Sequence, residues 1–139
     1  MASESEYYIV NMDTDRERAS RLRRRLYGVH RQFEKQLRVI MRREPVIKGI
    51  VYILRRRCGK AGCRCVEGHL HETWALTVPE KGHKRMRSVP KGQRVRWSEL
   101  AGRYRRFRRA RAMLVKLFRE ILKEVDALER QRTIPPPEP

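Results

Sequence analysis

Three cysteines fall within eight positions, Cys58, Cys63 and Cys65, with His71 six residues further on, and no other cysteine occurs in the 139 residues. An odd number of thiols, crowded this closely in a chain with no sign of export, favours a metal ion over disulfides. Zinc takes four tetrahedral ligands and prefers thiolate sulfur and imidazole nitrogen, so Cys58, Cys63, Cys65 and His71 form the expected set. His69 is the alternative fourth ligand; His71 is preferred because it opens the strand that follows. Gly59 and Gly62 are expected to let the backbone fold back between the first two cysteines, and Gly68 to allow a further tight turn. Lys60 and Arg64 partly offset the thiolate charge. Four protein ligands leave no open position for water, so a single zinc ion is expected to be structural. No catalytic residue is assigned: the chain shows no carboxylate pair, nucleophile–base pairing or phosphate loop.

The flanks of this cluster have a helical rhythm. Thr14 and Glu17 are spaced as a capping box. The apolar residues Leu22, Leu26, Val29, Phe33, Leu37 and Ile40 then recur at steps of three and four, and Pro45 ends the pattern. A helix is therefore expected over residues 13–44, after a tail at 1–12 with a short strand at Tyr7-Tyr8-Ile9-Val10. Between 46 and 90 the composition changes to β-branched and aromatic runs, Ile50 to Leu54 and Thr73 to Val78, with a Lys81-Gly82 turn into a basic strand near 83–89. Helical periodicity returns over 92–132. There Leu100, Tyr104, Phe107, Leu114, Phe118, Ile121, Val125 and Leu128 suggest a heptad seam, broken at Ala110 and Arg111, with a kink at Gly102. Residues 133–139, rich in proline, are expected to be an extended tail.

The expected fold class is therefore α+β. Two long amphipathic helices pair as an antiparallel hairpin or coiled coil, and a small zinc-clipped antiparallel sheet is inserted between them. Residues 13–132 form one domain.

The charge is concentrated. The formal net charge is +19, and residues 45–119 hold 21 lysines and arginines against four acids. An excess of this size suits a polyanionic partner. Three clusters carry it: Arg55, Arg56 and Arg57 with Lys60 and Arg64 at the cysteine loop; Lys84, Arg85, Arg87, Lys91, Arg94 and Arg96 through the third strand and the turn after it; and Arg103, Arg105, Arg106, Arg108 and Arg109 at the start of the last helix. Arginine's planar fork suits phosphate oxygens. A weaker basic patch lies at Arg23, Arg24 and Arg25. Trp74, Trp97 and Tyr52 are the aromatic residues that could stack on bases.

Residues 45–120 also resemble a family of short bacterial proteins catalogued only as a domain of unknown function. The resemblance rests on Gly49, on Cys58-Gly59-Lys60 with Cys63-Arg64-Cys65, on Gly68 through His71, on Val89-Pro90-Lys91 and on Tyr104-Arg105-Arg106-Phe107. It implies His71 as the histidine of the pattern. Where the family often has His-Gly-Pro before its aromatics, this chain has His71-Glu72-Thr73-Trp74. The resemblance implies no activity.

The expected function is that of a small zinc-stabilised protein that binds nucleic acid, DNA or RNA, through phosphates with little sequence specificity. The alternative is an interaction module, an accessory subunit that docks an acidic partner or forms a homodimer through the C-terminal helix. An acidic N-terminus and the absence of any long apolar run point to the cytoplasm, with no membrane partner.

Overall fold

The computed structural model describes the backbone of residues 4–138 and side chains from Thr14 onward. Its elements are α1 (Glu4–Ile40), β1 (Ile50–Arg56), a 3-10 turn (Arg64–Glu67), β2 (His71–Glu80), β3 (His83–Ser88), a second 3-10 turn (Lys91–Gln93) and α2 (Arg94–Arg132). The chain divides into two compact units. One comprises the residues up to Met41 together with those from Ala110 onward; the other is Arg42–Arg109. No helix of the described residues is long and apolar enough to cross a membrane.

In the first unit, α1 is longer at its start and shorter at its end than the periodicity suggests. It begins at Glu4, so residues 4–12 are helical where a tail and a short strand were expected. Nothing between Glu4 and Tyr27 breaks a helix, since the segment has no proline or glycine. The helix closes at Ile40, with the Met41 amide donating to the Leu37 carbonyl at 2.9 Å. Pro45 forces Glu44 out of the helical region, and the chain needs the intervening residues to turn towards β1. The stripe of Leu22, Leu26, Val29, Phe33, Leu37 and Ile40 is half-buried, while most of the other α1 residues described from Thr14 onward are exposed.

Over Ala110–Arg132, α2 buries Ala110 and Leu117 and half-buries Leu114, Ile121 and Leu128. This corrects the heptad. Phe118, expected in the seam, is 54% exposed and Val125 is also exposed, while Leu117 at 2% takes the inward place. The sequence carries two adjacent apolar stripes here, one through 114, 117, 121 and 128 and one through 115, 118, 122 and 125; periodicity alone cannot choose between them. Arg25 lies 3.8 Å from the Glu124 carboxylate, and the Gln131 side-chain amide donates to the Asp15 carbonyl. Gly102 does not interrupt α2, which is one continuous helix.

The second unit is built on a three-stranded antiparallel sheet in the order β1-β2-β3. Ile50 pairs with Thr77 and Arg56 with His71; Ala75 pairs with Ser88 and Glu80 with His83. Lys81 and Gly82 join β2 to β3 with φ of 48° and 82°. A two-residue hairpin of type I′ needs positive φ at both positions, because that turn matches the twist of the strands. Gly49 makes the entry to β1 fit. A Cβ there would lie 2.7 Å from the Thr77 carbonyl oxygen and 2.9 Å from side-chain carbons of Leu76 and Val78. The core of this unit is thin: Cys65, Ala75, Leu76, Val89 and Ala101 are its buried hydrophobic residues, and Gly49, just before β1, is buried as well. The Ile47 amide donates to the Leu100 carbonyl at 3.2 Å, and Val89 to that of Trp74 at 2.8 Å, tying the strand ends to α2 and to each other.

Candidate metal centre and its basic surroundings

The pairing of Arg56 with His71 determines the site. Cys58 lies two residues beyond the end of β1 and His71 is the first residue of β2, so the sheet holds both ends of the loop close together. Between them the chain turns tightly. Gly59 has φ of 80°, Cys63 donates to the Lys60 carbonyl at 3.2 Å, and Val66 donates to that of Cys63 at 3.0 Å. Gly68, at φ 104°, ends the 3-10 turn in the left-handed region, its amide directed at the Arg64 and Cys65 carbonyls. Gly62 has no positive φ, and nothing lies within 4 Å of the place its Cβ would take. The expectation that Gly62 enables the fold-back is therefore corrected: Gly59 and Gly68 do that work.

The sulfurs of Cys58, Cys63 and Cys65 and one ring nitrogen of His71 all lie within 4.8 Å of one another. Cys58 Sγ is 3.6 Å from Cys65 Sγ, and Cys63 Sγ is 3.1 Å from His71 Nε2. Four bonds of ~2.3 Å to a tetrahedral ion would set sulfur–sulfur edges of about 3.8 Å, so the donors are spaced to close on one metal. The same sulfur separation is far beyond the ~2.05 Å of a disulfide. His69 lies outside this group: it sits on the loop, its amide donating to the Arg64 carbonyl at 3.3 Å. Cys65 is wholly buried, Cys63 half-buried, and Cys58 and His71 are exposed, so the cluster is a lid over the sheet end rather than a deep pocket.

The electrostatics favour anionic sulfur at the rim. The Cys58 thiol is pulled down from 9.0 to about 6, first by the Lys60 backbone N–H and then by the Cys65 and Cys63 side chains. The Cys63 thiol moves the other way. The Cys65 backbone N–H lowers it, but the Cys65 and Cys58 sulfurs together outweigh that donor. One bound cation would relieve this mutual repulsion among three thiolates.

The basic residues are placed unevenly. Arg55 is held by Glu72 at 2.8 Å across the β1–β2 pair, and Arg85 by Glu80 at 3.2 Å on the next pair. Arg94 is half-buried, its guanidinium 5.5 Å from the centre of the Trp74 ring and its Nε without a partner among the described residues. That contact takes up both Arg94 and the face of Trp74 it covers. By contrast Arg56, Arg57, Lys60, Arg64, Lys84, Arg87, Lys91, Arg96, Arg105, Arg106, Arg108 and Arg109 are exposed, and Arg103 is half-exposed. None of these thirteen makes an ion pair among the described residues. Trp97 and Tyr52 are half-buried, the Tyr52 hydroxyl lying 3.2 Å from Thr77 Oγ1.

Some of these cations converge. Lys84 of β3 and Arg105, Arg108 and Arg109 of α2 line a cleft of about 460 Å³ with Tyr104. Its other side is Lys48, Gly49 and Ile50 at the entry to β1, with Thr77 and Pro79 at the end of β2. Lys48 was not singled out from the sequence. A lysine before a strand glycine is unremarkable until the sheet and α2 are seen to bring residue 48 beside residues 104–109.

No curated protein and no solved structure matches the chain. A family match does exist, over residues 19–99: it begins inside α1, takes in the whole cysteine–histidine cluster and the sheet, and ends in the first turns of α2, so residues 104–107 lie beyond it. That span is more than half of the chain, and the protein belongs to the family described as a domain of unknown function (DUF6788).

Proposed function

We propose that this is a zinc-clipped nucleic-acid-binding protein of the cytoplasm, in which Cys58, Cys63, Cys65 and His71 hold a structural Zn²⁺ and the surrounding cations grip phosphates. Three thiolates and one imidazole are a donor set that suits zinc better than the oxygen-seeking ions. With four ligands from the chain the ion has no position left for substrate, so its part is to hold the sheet, and no catalytic step is assigned to it. The two helices are read as an antiparallel hairpin, supported by the Arg25–Glu124 and Asp15–Gln131 contacts, which link residues of α1 and α2 in reversed order.

The observation that carries the reading is the imbalance in the second unit. Arg42–Arg109 has 20 lysines and arginines against five acids, and the described residues form only two ion pairs there. A soluble face normally mixes both signs; this one leaves those thirteen exposed or half-exposed cations without a carboxylate among the described residues. Contacts of this kind are to the backbone and read little sequence. Titration of a labelled oligonucleotide by fluorescence anisotropy at several salt concentrations tests it. Six to eight phosphate contacts give a log–log slope of roughly −5 to −7 on duplex DNA. Absence of binding at low salt, or affinity indifferent to salt, rules the reading out.

A second reading has its own observation. Val115, Phe118, Leu122 and Val125 form an exposed apolar stripe along α2. Such a stripe suits a helix-docking partner or a second copy of the chain. Light scattering tests the second copy: a monomer at all concentrations rules out self-association through the stripe.

A further inference from the structure

The cleft between the sheet and α2 differs from the rest of the basic surface, because its walls are apolar. Ile50, Pro79 and the Tyr104 ring line it, and the Thr77 hydroxyl that borders it is engaged with Tyr52. Its rim carries only positive charge: Lys48, Lys84, Arg105, Arg108 and Arg109 surround it, no acid does, and none of the five has an ion-pair partner among the described residues. About 460 Å³ is within the ~300–1,000 Å³ of small-ligand sites and gives room for one nucleotide.

We infer that this cleft seats an unpaired nucleobase, so that the protein prefers single-stranded nucleic acid to duplex. This rests on the nucleic-acid reading above. A duplex keeps its bases stacked and paired and presents a continuous phosphate surface, against which apolar walls gain nothing. A single strand offers both parts at once. The base enters the concavity against the Tyr104 ring and the arginine planes, and the flanking phosphates meet the rim. Base stacking on aromatic and guanidinium surfaces tolerates any sequence, since every base has a flat face. Arg105, Arg108 and Arg109 are spaced i, i+3 and i+4, so α2 presents them together on one side, with Lys48 and Lys84 across the opening.

The test uses the full chain loaded with zinc and three labelled 12-residue probes at one ionic strength: oligothymidylate, the same backbone with abasic sites, and a duplex. The single strand binds at least about tenfold more tightly than either of the others. Ile50→Trp fills the cleft at an exposed strand position and brings the single strand to the level of the duplex; Tyr104→Ala does the same, and Tyr104→Phe keeps the preference. Thermal melting establishes that each variant is folded. Equal affinity for single strand and duplex, or an abasic strand as good as the normal one, overturns the inference while leaving phosphate binding intact. A preference that survives in folded Ile50→Trp also overturns it, because the base then sits elsewhere. No binding to any probe at low salt overturns both this inference and the reading it rests on.

Discussion

Removing the metal should unfold the second unit and leave the first in place. The size of the effect follows from how little else holds Arg42–Arg109 together. Its fully buried residues include only two full-size aliphatic side chains, Leu76 and Val89. At about 1.5–3 kcal/mol each, they contribute roughly 3–6 kcal/mol of transfer free energy. β3 is exposed along its whole length, and a three-stranded sheet of this size is marginal alone. Structural zinc in finger peptides is worth about 10–16 kcal/mol at neutral pH, so a zinc ion held by this cluster would be the larger stabilising contribution. Its loss is enough to cross from folded to unfolded in a unit of ordinary stability, ~5–15 kcal/mol.

The assay is hydrogen exchange read by segment, with metal analysis of the same sample. Before treatment one zinc ion per chain is expected. After a strong chelator, the amides of β1, β2 and β3 should exchange at rates close to those of an open chain, and emission from Trp74 and Trp97 should shift to the red. The amides of α1 and of α2 beyond Ala110 should keep their protection, because Leu117 and its half-buried neighbours do not depend on the cluster. Cys63→Ser should reproduce the chelated state without chelator. Metal-free protein in which β2 remains protected would show that the sheet stands without its clip, and the reasoning would fail.

Further expectations follow from single positions. Gly49→Ala places a methyl 2.7 Å from the Thr77 carbonyl oxygen, so β1 must shift away from β2; a cost of about 1–3 kcal/mol in urea denaturation is expected, and an unchanged midpoint would refute the close approach. Gly82→Ala meets no atom within 4 Å but sits at φ 82°, so its cost of roughly 1 kcal/mol should come from the backbone alone. Leu117→Ala should lower stability by about 2–5 kcal/mol and Phe118→Ala by well under half of that; the reverse order would put Phe118 back in the seam. Acid should release zinc and unfold the sheet together, because the thiolates and His71 must take up protons to let go of the ion; two separate midpoints, followed by a zinc dye and by far-ultraviolet dichroism, would refute the link.

The cysteine–histidine cluster was legible in the sequence because it is local. Cys58, Cys63 and Cys65 fall within one loop, and His71 could be preferred to His69 because it opens the next strand. The Lys81-Gly82 hairpin was legible for the same reason, since a turn needs only its own residues. What escaped the sequence were choices made by contacts between distant segments. Apolar residues at both 117 and 118, and at both 121 and 122, leave two stripes available on α2, and only packing selects the one through Leu117. Arg94 reads as a surface cation until Trp74 is found beneath it. Lys48 has no meaning until residues 104–109 stand across from it. The start of α1 at Glu4 was hidden by a good capping box at Thr14, a local signal overridden by an unbroken run of helix-compatible residues before it.

The metal cluster and the charge are two parts of one problem. Twenty cations against five acids repel one another in a folded unit of 68 residues, and a thin core offers little to oppose that repulsion. On the proposed reading, a zinc ion held by Cys58, Cys63, Cys65 and His71 would offset it at the end of the sheet, where apolar burial is thin. Three thiolates would also bring negative charge into a basic stretch of the chain, since Arg56, Arg57, Lys60 and Arg64 flank or intersperse the cysteines in sequence. A zinc ion with three thiolates and a neutral imidazole would carry a net charge of about −1, which would offset part of that positive charge without pairing the cations one to one. A chain that used glutamates for the same purpose would neutralise its own surface. On the proposed reading, a closed metal site would instead leave the guanidinium groups free to meet phosphate, which would account for the clip and the cations occurring side by side.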